Sequence, residues 1–293
     1  MDAVPLCFIQ SVLRISSYYD RGRTQHLSDL WGRLGAELAG WEHMEKRTLS
    51  PEVLKEISKS ITAFEVDAEC RDYEIVRRQK GWHFINHDDH LLKALLGLGA
   101  PDKILDLTRL RTHCRYLEIR QKCAHLFKQF TSLHLRAIEH EWKLLKEMAS
   151  KGQLRSVRIH DIVPSSYVSR FWVDYFFSES CERLDVRFED ISVYFEIINR
   201  WKQMDPWTVA SYKILSGMEK TSRWRWPNVN MYPIHAQSID TTILKKINHE
   251  VSHVNWESFY RIDHPANSSS KIYVVVLKEW SPYMLGDCFL FFA

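Results

Sequence analysis

The segment Leu154-Arg155-Ser156-Val157-Arg158-Ile159 reads apolar-x-x-apolar-x-apolar. It has two counterparts, Phe130-Thr131-Ser132-Leu133-His134-Leu135 before it and Cys181-Glu182-Arg183-Leu184-Asp185-Val186 after it, with starts 24 and 27 residues apart. In an extended chain successive side chains take opposite faces, so Val157 and Ile159 share one side and Arg158 takes the other. Between the copies the apolar period changes to that of a helix. Trp142, Leu144, Leu145 and Met148 form one such face. Phe171, Trp172, Tyr175 and Phe176 form a second, and Ile191, Tyr194, Phe195, Ile197, Ile198 and Trp201 a third. Strand followed by helix at a near-constant step predicts parallel strands side by side with their helices packed along one surface. Weaker copies at residues 114–119 and 209–214 extend the pattern in both directions.

The step lies in the range of about 20–29 residues that characterises leucine-rich repeats, which this region resembles in an irregular form. Ile138, Ile162 and Glu189 stand where such repeats carry an Asn or Cys. The other reading of the same residues is three βα units of an ordinary α/β domain, and on either reading the central fold is α/β. The resemblance implies a binding surface on the strand side of the stack. His134, Arg158 and Asp185, the alternate strand residues, are therefore expected to face outward and to meet a target. Residues 61–66 read as a further strand. Beyond Trp224 the prolines at 227, 233, 265 and 282 interrupt the helical period, and residues 271–277 (KIYVVVL) read as a strand.

The first fifty residues differ in character. Val4-Pro5 opens a helical pattern at a first-turn position where the missing proline N–H costs nothing. Phe8, Ile9, Val12 and Leu13 follow on one face. After Ser16, Ser17 and Gly22, a second pattern places Leu27, Leu30, Trp31, Leu34 and Leu38 at three- and four-residue steps, and Trp41 closes it. Two short one-sided helices must bury their apolar faces against something else. The opening apolar-Pro, the patch after it and the spacing Trp31-x-x-Leu34 up to Trp41 resemble the F-box, and the chain is similar to nematode-type F-box-related proteins. That resemblance implies a module over 1–50 that binds a Skp1-type adaptor through Pro5, Phe8, Ile9, Val12, Leu13, Leu30, Trp31 and Leu34. Residues 51–293 would form an irregular repeat-like α/β interaction domain that selects a protein for ubiquitination. A recognition protein of the same fold without an adaptor is the alternative.

Composition excludes several other classes. Forty Lys and Arg against 37 Asp and Glu leave a formal charge of +3 over 293 residues, too near neutral for attraction of the whole molecule to nucleic acid or an anionic membrane. No GxGxxG or GxxxxGK[ST] run is present to cradle a phosphate, and no cofactor is expected. The six cysteines form no CxxC pair, which argues against a zinc ribbon and for a reducing compartment. With no apolar leader run near Asp2 and Pro5, a cytoplasmic or nuclear protein is expected. The one enzyme-like motif is His249-Glu250-Val251-Ser252-His253. On a helix its two histidines would share a face toward Zn²⁺ while Glu250 served as base, as in zinc metallopeptidases. Its flanks, Lys246 and Asn255, depart from that pattern, no GxxH follows, and Glu279 is the one candidate for a third ligand. The expectation is a non-enzymatic protein with no metal. His83, His87, Asp88, Asp89 and His90 read as an acidic first helical turn, and the run from Lys220 to Trp226 as a loop with inward-packed Trp residues.

Overall fold

The computed structural model describes residues 63–67, 96–97, 101–108, 126–139, 141–167, 169–208, 212–218, 229–250, 256–278 and 288–293. The chain divides into two compact units, Met1–Ser132 and Leu133–Ala293. The expected boundary at residue 50 and every expected adaptor-contact residue, Pro5, Phe8, Ile9, Val12, Leu13, Leu30, Trp31 and Leu34, lie outside the described residues. So do the repeat copy at 114–119, the acidic turn at 88–90 and the run at 220–226.

In the first unit β1 (Ala63–Asp67) and β2 (Asp102–Asp106) pair in parallel, with Ala63 opposite Asp102 and Asp67 opposite Asp106. Thr131 secures β2 twice, donating its N–H to Lys103 O at 2.9 Å and accepting the Lys103 N–H on Oγ1 at 2.8 Å.

The second unit is a mixed α/β layer. Its elements run β3 (Ser132–Leu135, entering from the unit boundary), α1 (Trp142–Ser150), β4 (Ser156–Val163), α2 (Ser169–Phe176), β5 (Arg183–Phe188), α3 (Ser192–Gln203) and β6 (Lys213–Met218). They continue with β7 (Tyr232–Ile234), α4 (Thr241–Glu250), β8 (Trp256–Asp263), β9 (Lys271–Leu277) and β10 (Cys288–Phe292). The strand order is β3-β4-β5-β6-β10-β9-β8-β7. β4, β5 and β6 are parallel neighbours in sequence order, and from β6 through β10, β9, β8 and β7 every pairing is antiparallel.

The three close repeat copies coincide with β3, β4 and β5, and the three apolar helical faces with α1, α2 and α3. Leu144, Leu145, Met148, Trp172, Phe176, Ile197, Ile198 and Trp201 are all buried. Ile191, read as part of the third face, instead lies just before α3 and is exposed. That start is fixed by Asp190, whose carboxylate accepts the Ser192 N–H at 2.8 Å and so satisfies a donor the helix leaves open. The three helices share one face of the sheet through a chain of aromatic contacts. Trp142 of α1 meets Phe171 and Trp172 of α2, Trp172 meets Phe188, and Phe188 meets Tyr194 of α3. Phe176 and Trp201 both pack on Phe292.

The opposite face is where the sequence reading needs correction. α4 lies across it, with Ile247 fully buried among Ile214, Phe259, Tyr273, Val275, Leu277, Phe289 and Phe291. Strands β9 and β10 are therefore buried on both sides, which is why KIYVVVL and CFLFF are continuous apolar runs and not alternating ones. Of the last repeat copy, residues 209–211 lie outside the described residues, and β6 starts at Lys213. Gly217, at φ +106°, sits there against β5, and a Cβ at this position would lie 2.2 Å from Val186 O. Among the described residues no helix is long and apolar enough to cross a membrane.

Candidate functional site

Two groups of residues singled out from the sequence meet on the α4 side of the sheet. Arg158 of β4 and Asp185 of β5 are register partners. Arg158 Nε donates to Asp185 Oδ2 at 2.7 Å, and Ser216 of β6 donates its hydroxyl to Oδ1 at 2.7 Å. Arg183 lies two residues before Asp185, hence on the same face of β5, with Nη2 3.7 Å from Oδ2. Its Nη1 donates to Glu250 Oε2 at 2.5 Å, at the final residue of α4. A single guanidinium thus joins the strand-face carboxylate to the carboxylate of the HExxH segment.

This arrangement overturns one expectation: Asp185 does not face outward but is 0 % exposed. The side chains of Arg158 and Arg183 flank it and keep 16 % and 21 % exposure, and Glu250 anchors Arg183 from α4. Burial alone would raise the Asp185 carboxyl. The charges of Arg158 and Arg183 and the hydrogen bonds from Ser216 and Arg158 outweigh it and hold the group below its ordinary value. Arg158 is part-buried, and His134, on the same side of β3 by alternation from the buried Leu133 and Leu135, is half-buried. The structure therefore joins Arg158 to Asp185 directly and places His134 on their face.

Glu250 is committed to Arg183, and its other oxygen lies 3.4 Å from His249 Nδ1. His253 lies outside the described residues. Among the described residues no three His, Cys, Asp or Glu side chains are gathered as they would be to hold a metal ion.

A second buried polar group sits at the amino ends of the strands. Lys213 Nζ donates to Ser178 O at 2.8 Å and to Cys181 O, closing the turn after α2, and Tyr175 Oη donates to Leu154 O at 3.2 Å. Burial lowers the Lys213 pKa. It pushes the Cys181 thiol up to about 12, against a smaller opposing effect of the Lys213 charge. A thiol so held is protonated at neutral pH and is no nucleophile.

Sequence reasoning missed Arg183 and Ser216. The signal for Arg183 was available, since an i, i+2 pair of opposite charges on a strand shares one face. Ser216 could be found only once β6 was placed beside β5. No protein-family model, curated protein or solved structure matches the chain.

Proposed function

We propose that this chain is a non-catalytic recognition subunit of an SCF-type ubiquitin ligase, acting in the cytoplasm or nucleus. Its F-box-like first fifty residues would hold a Skp1-type adaptor, and its leucine-rich-repeat-like strand–helix stack would present a protein target. The observation that carries the reading is the sequential order of β4, β5 and β6, parallel neighbours with α2 and α3 between them in the chain. Such a stack offers a row of loops at one end, each adjustable without altering the core. The charges of the cluster around Asp185 neutralise one another, which supports a structural role for them over bond chemistry. The protein then works by raising the effective concentration of target near the enzyme.

Co-expression with a Skp1-type adaptor tests the reading. A stoichiometric complex is expected, lost in a Pro5→Ala/Trp31→Ala variant whose circular dichroism matches the parent. Purification free of adaptor, with the chain folded, would refute adaptor binding.

A further inference from the structure

The carboxyl ends of β4 and β5 carry a feature that the internal charge network does not use. Ile159 pairs with Val186 and Val163 with Phe188, so four steps along β4 match two along β5 and residues 160–162 bulge from the ladder. The bulge is pinned from both sides: Asp161 N–H donates to Arg136 O at 2.7 Å, and Arg187 Nη2 donates to His160 O at 3.3 Å. Its effect is to hold Ile162 outward, 53 % exposed. On the adjoining loop Ile191 is 43 % exposed. The two loops are tied to each other, with the Glu189 N–H donated to Val163 O at 3.0 Å and the Ser165 N–H to Glu189 Oε2 at 2.8 Å. Two of the four exposed large apolar side chains among the described residues therefore occupy the bulge of β4 and the loop tied to its end.

Acidic groups predominate around them. Across residues 136–139, 160–166 and 187–191, Glu139, Asp161, Glu189 and Asp190 are exposed, against Arg136, which lies 4.0 Å from Asp161, and the half-buried Arg187, whose guanidinium is held on His160 O, in a chain whose net charge is +3. An apolar centre within a polar rim is the anatomy of a protein contact, and an acidic rim selects a cationic partner and repels phosphate backbones.

We propose that this rim binds a short segment of a protein partner in which Lys or Arg flanks a large aliphatic side chain. The proposal rests on the recognition reading above and names the chemistry of the target.

The test uses the full chain and a displayed library of random twelve-residue peptides. Enrichment of peptides with Lys or Arg beside Leu, Ile or Val is expected. One enriched peptide, synthesised and titrated, should bind at least tenfold more weakly to Ile162→Ser/Ile191→Ser. It should also bind several-fold more weakly to Asp161→Asn/Glu189→Gln/Asp190→Asn, with a smaller salt dependence. These changes sit on exposed positions, and the amides introduced at 189 and 190 keep an acceptor for the N–H groups of Ser165 and Ser192, so thermal unfolding should stay near that of the parent. Absence of enrichment, enrichment of acidic or uncharged peptides, or affinity indifferent to both variants would overturn the proposal. So would a dimer of the parent, seen by sedimentation, that dissociates in the isoleucine variant, since the occupant would then be a second copy. Adaptor co-purification, measured on the same variants, reports on the first fifty residues alone, so failure there and failure at the rim are read separately.

Discussion

Asp185→Asn removes one negative charge from the centre of the second unit while leaving shape and one hydrogen bond intact. The carboxylate is wholly buried, accepts Arg158 Nε and the Ser216 hydroxyl at 2.7 Å each, and lies 3.7 Å from Arg183 Nη2. Asn retains an acceptor for Ser216, so the loss is that of charge compensation for two guanidinium groups. Breaking a buried ion pair on one side costs about 3–5 kcal/mol. Water reaches part of Arg158 and Arg183, which are 16 % and 21 % exposed, and Glu250 still neutralises the latter, so the lower end, about 3 kcal/mol, is expected. For a unit of this size that is a fall in Tm of roughly 6–12 °C. Thermal unfolding at pH 7 measures it, and a cycle with Arg158→Gln should return a coupling of about 1–3 kcal/mol. The pH dependence has a definite sign. The folded carboxyl is held below its ordinary value, so its contribution is complete above the unfolded value near ~3.9 and is lost as pH falls through the folded one. The gap between parent and variant should be flat from pH 5 to 8 and close below about pH 4. A Tm shift under about 1 °C, or additive effects in the cycle, would refute the view that the cluster is a neutralised structural network.

Two further substitutions or probes address the same unit. Gly217→Ala would place a Cβ 2.2 Å from Val186 O and 2.4 Å from Val186 C, both main-chain atoms, at φ +106°. A loss of about 3 kcal/mol or more is expected, read as a lowered Tm or as insoluble expression; an unchanged Tm would mean that β6 does not approach β5 as described. Cys181, with its thiol pushed up to about 12 by burial, should resist iodoacetamide at pH 8 in the native protein and react once urea unfolds it. Peptide mapping by mass spectrometry checks this, and native labelling at Cys181 would contradict the packing around Lys213.

The parallel half of the second unit was legible because each of its layers has its own period. Alternation in Val157, Arg158 and Ile159 marks a strand with one apolar side, and the three- and four-residue spacing of Ile197, Ile198 and Trp201 marks a helix lying on that side. The antiparallel half was legible only as strands. A continuous run such as KIYVVVL shows that both faces are covered without saying by what, and α4 carries only Ile247 fully buried as its own apolar signature. For that reason the strand side looks open in the sequence. The same omission hides the site: Asp185, on the polar side of an alternating strand, looks solvent-facing until a helix is placed over the neighbouring strands and its last residue reaches back to Arg183. The bulge at 160–162 is also invisible there, because Ile162 falls at an offset where a repeat would carry an inward ladder residue. Ile138 keeps that inward position and is buried, whereas the two-residue excess in β4 turns Ile162 out.

The Glu250 carboxylate of the HExxH segment has its cationic partner on the sheet. A part-buried carboxylate needs a positive charge or hydrogen-bond donors beside it, and a guanidinium supplies both. Arg183 Nη1 holds Glu250 Oε2 at 2.5 Å, and Nη2 of the same guanidinium lies 3.7 Å from Asp185 Oδ2. One arginine thus answers two carboxylates, one from the strand and one from the helix. Removing Arg183 would leave both without part of their compensation. The pairing fastens the end of α4 to β5, across the boundary between the parallel and antiparallel halves of the sheet. Fixing that junction is a structural task.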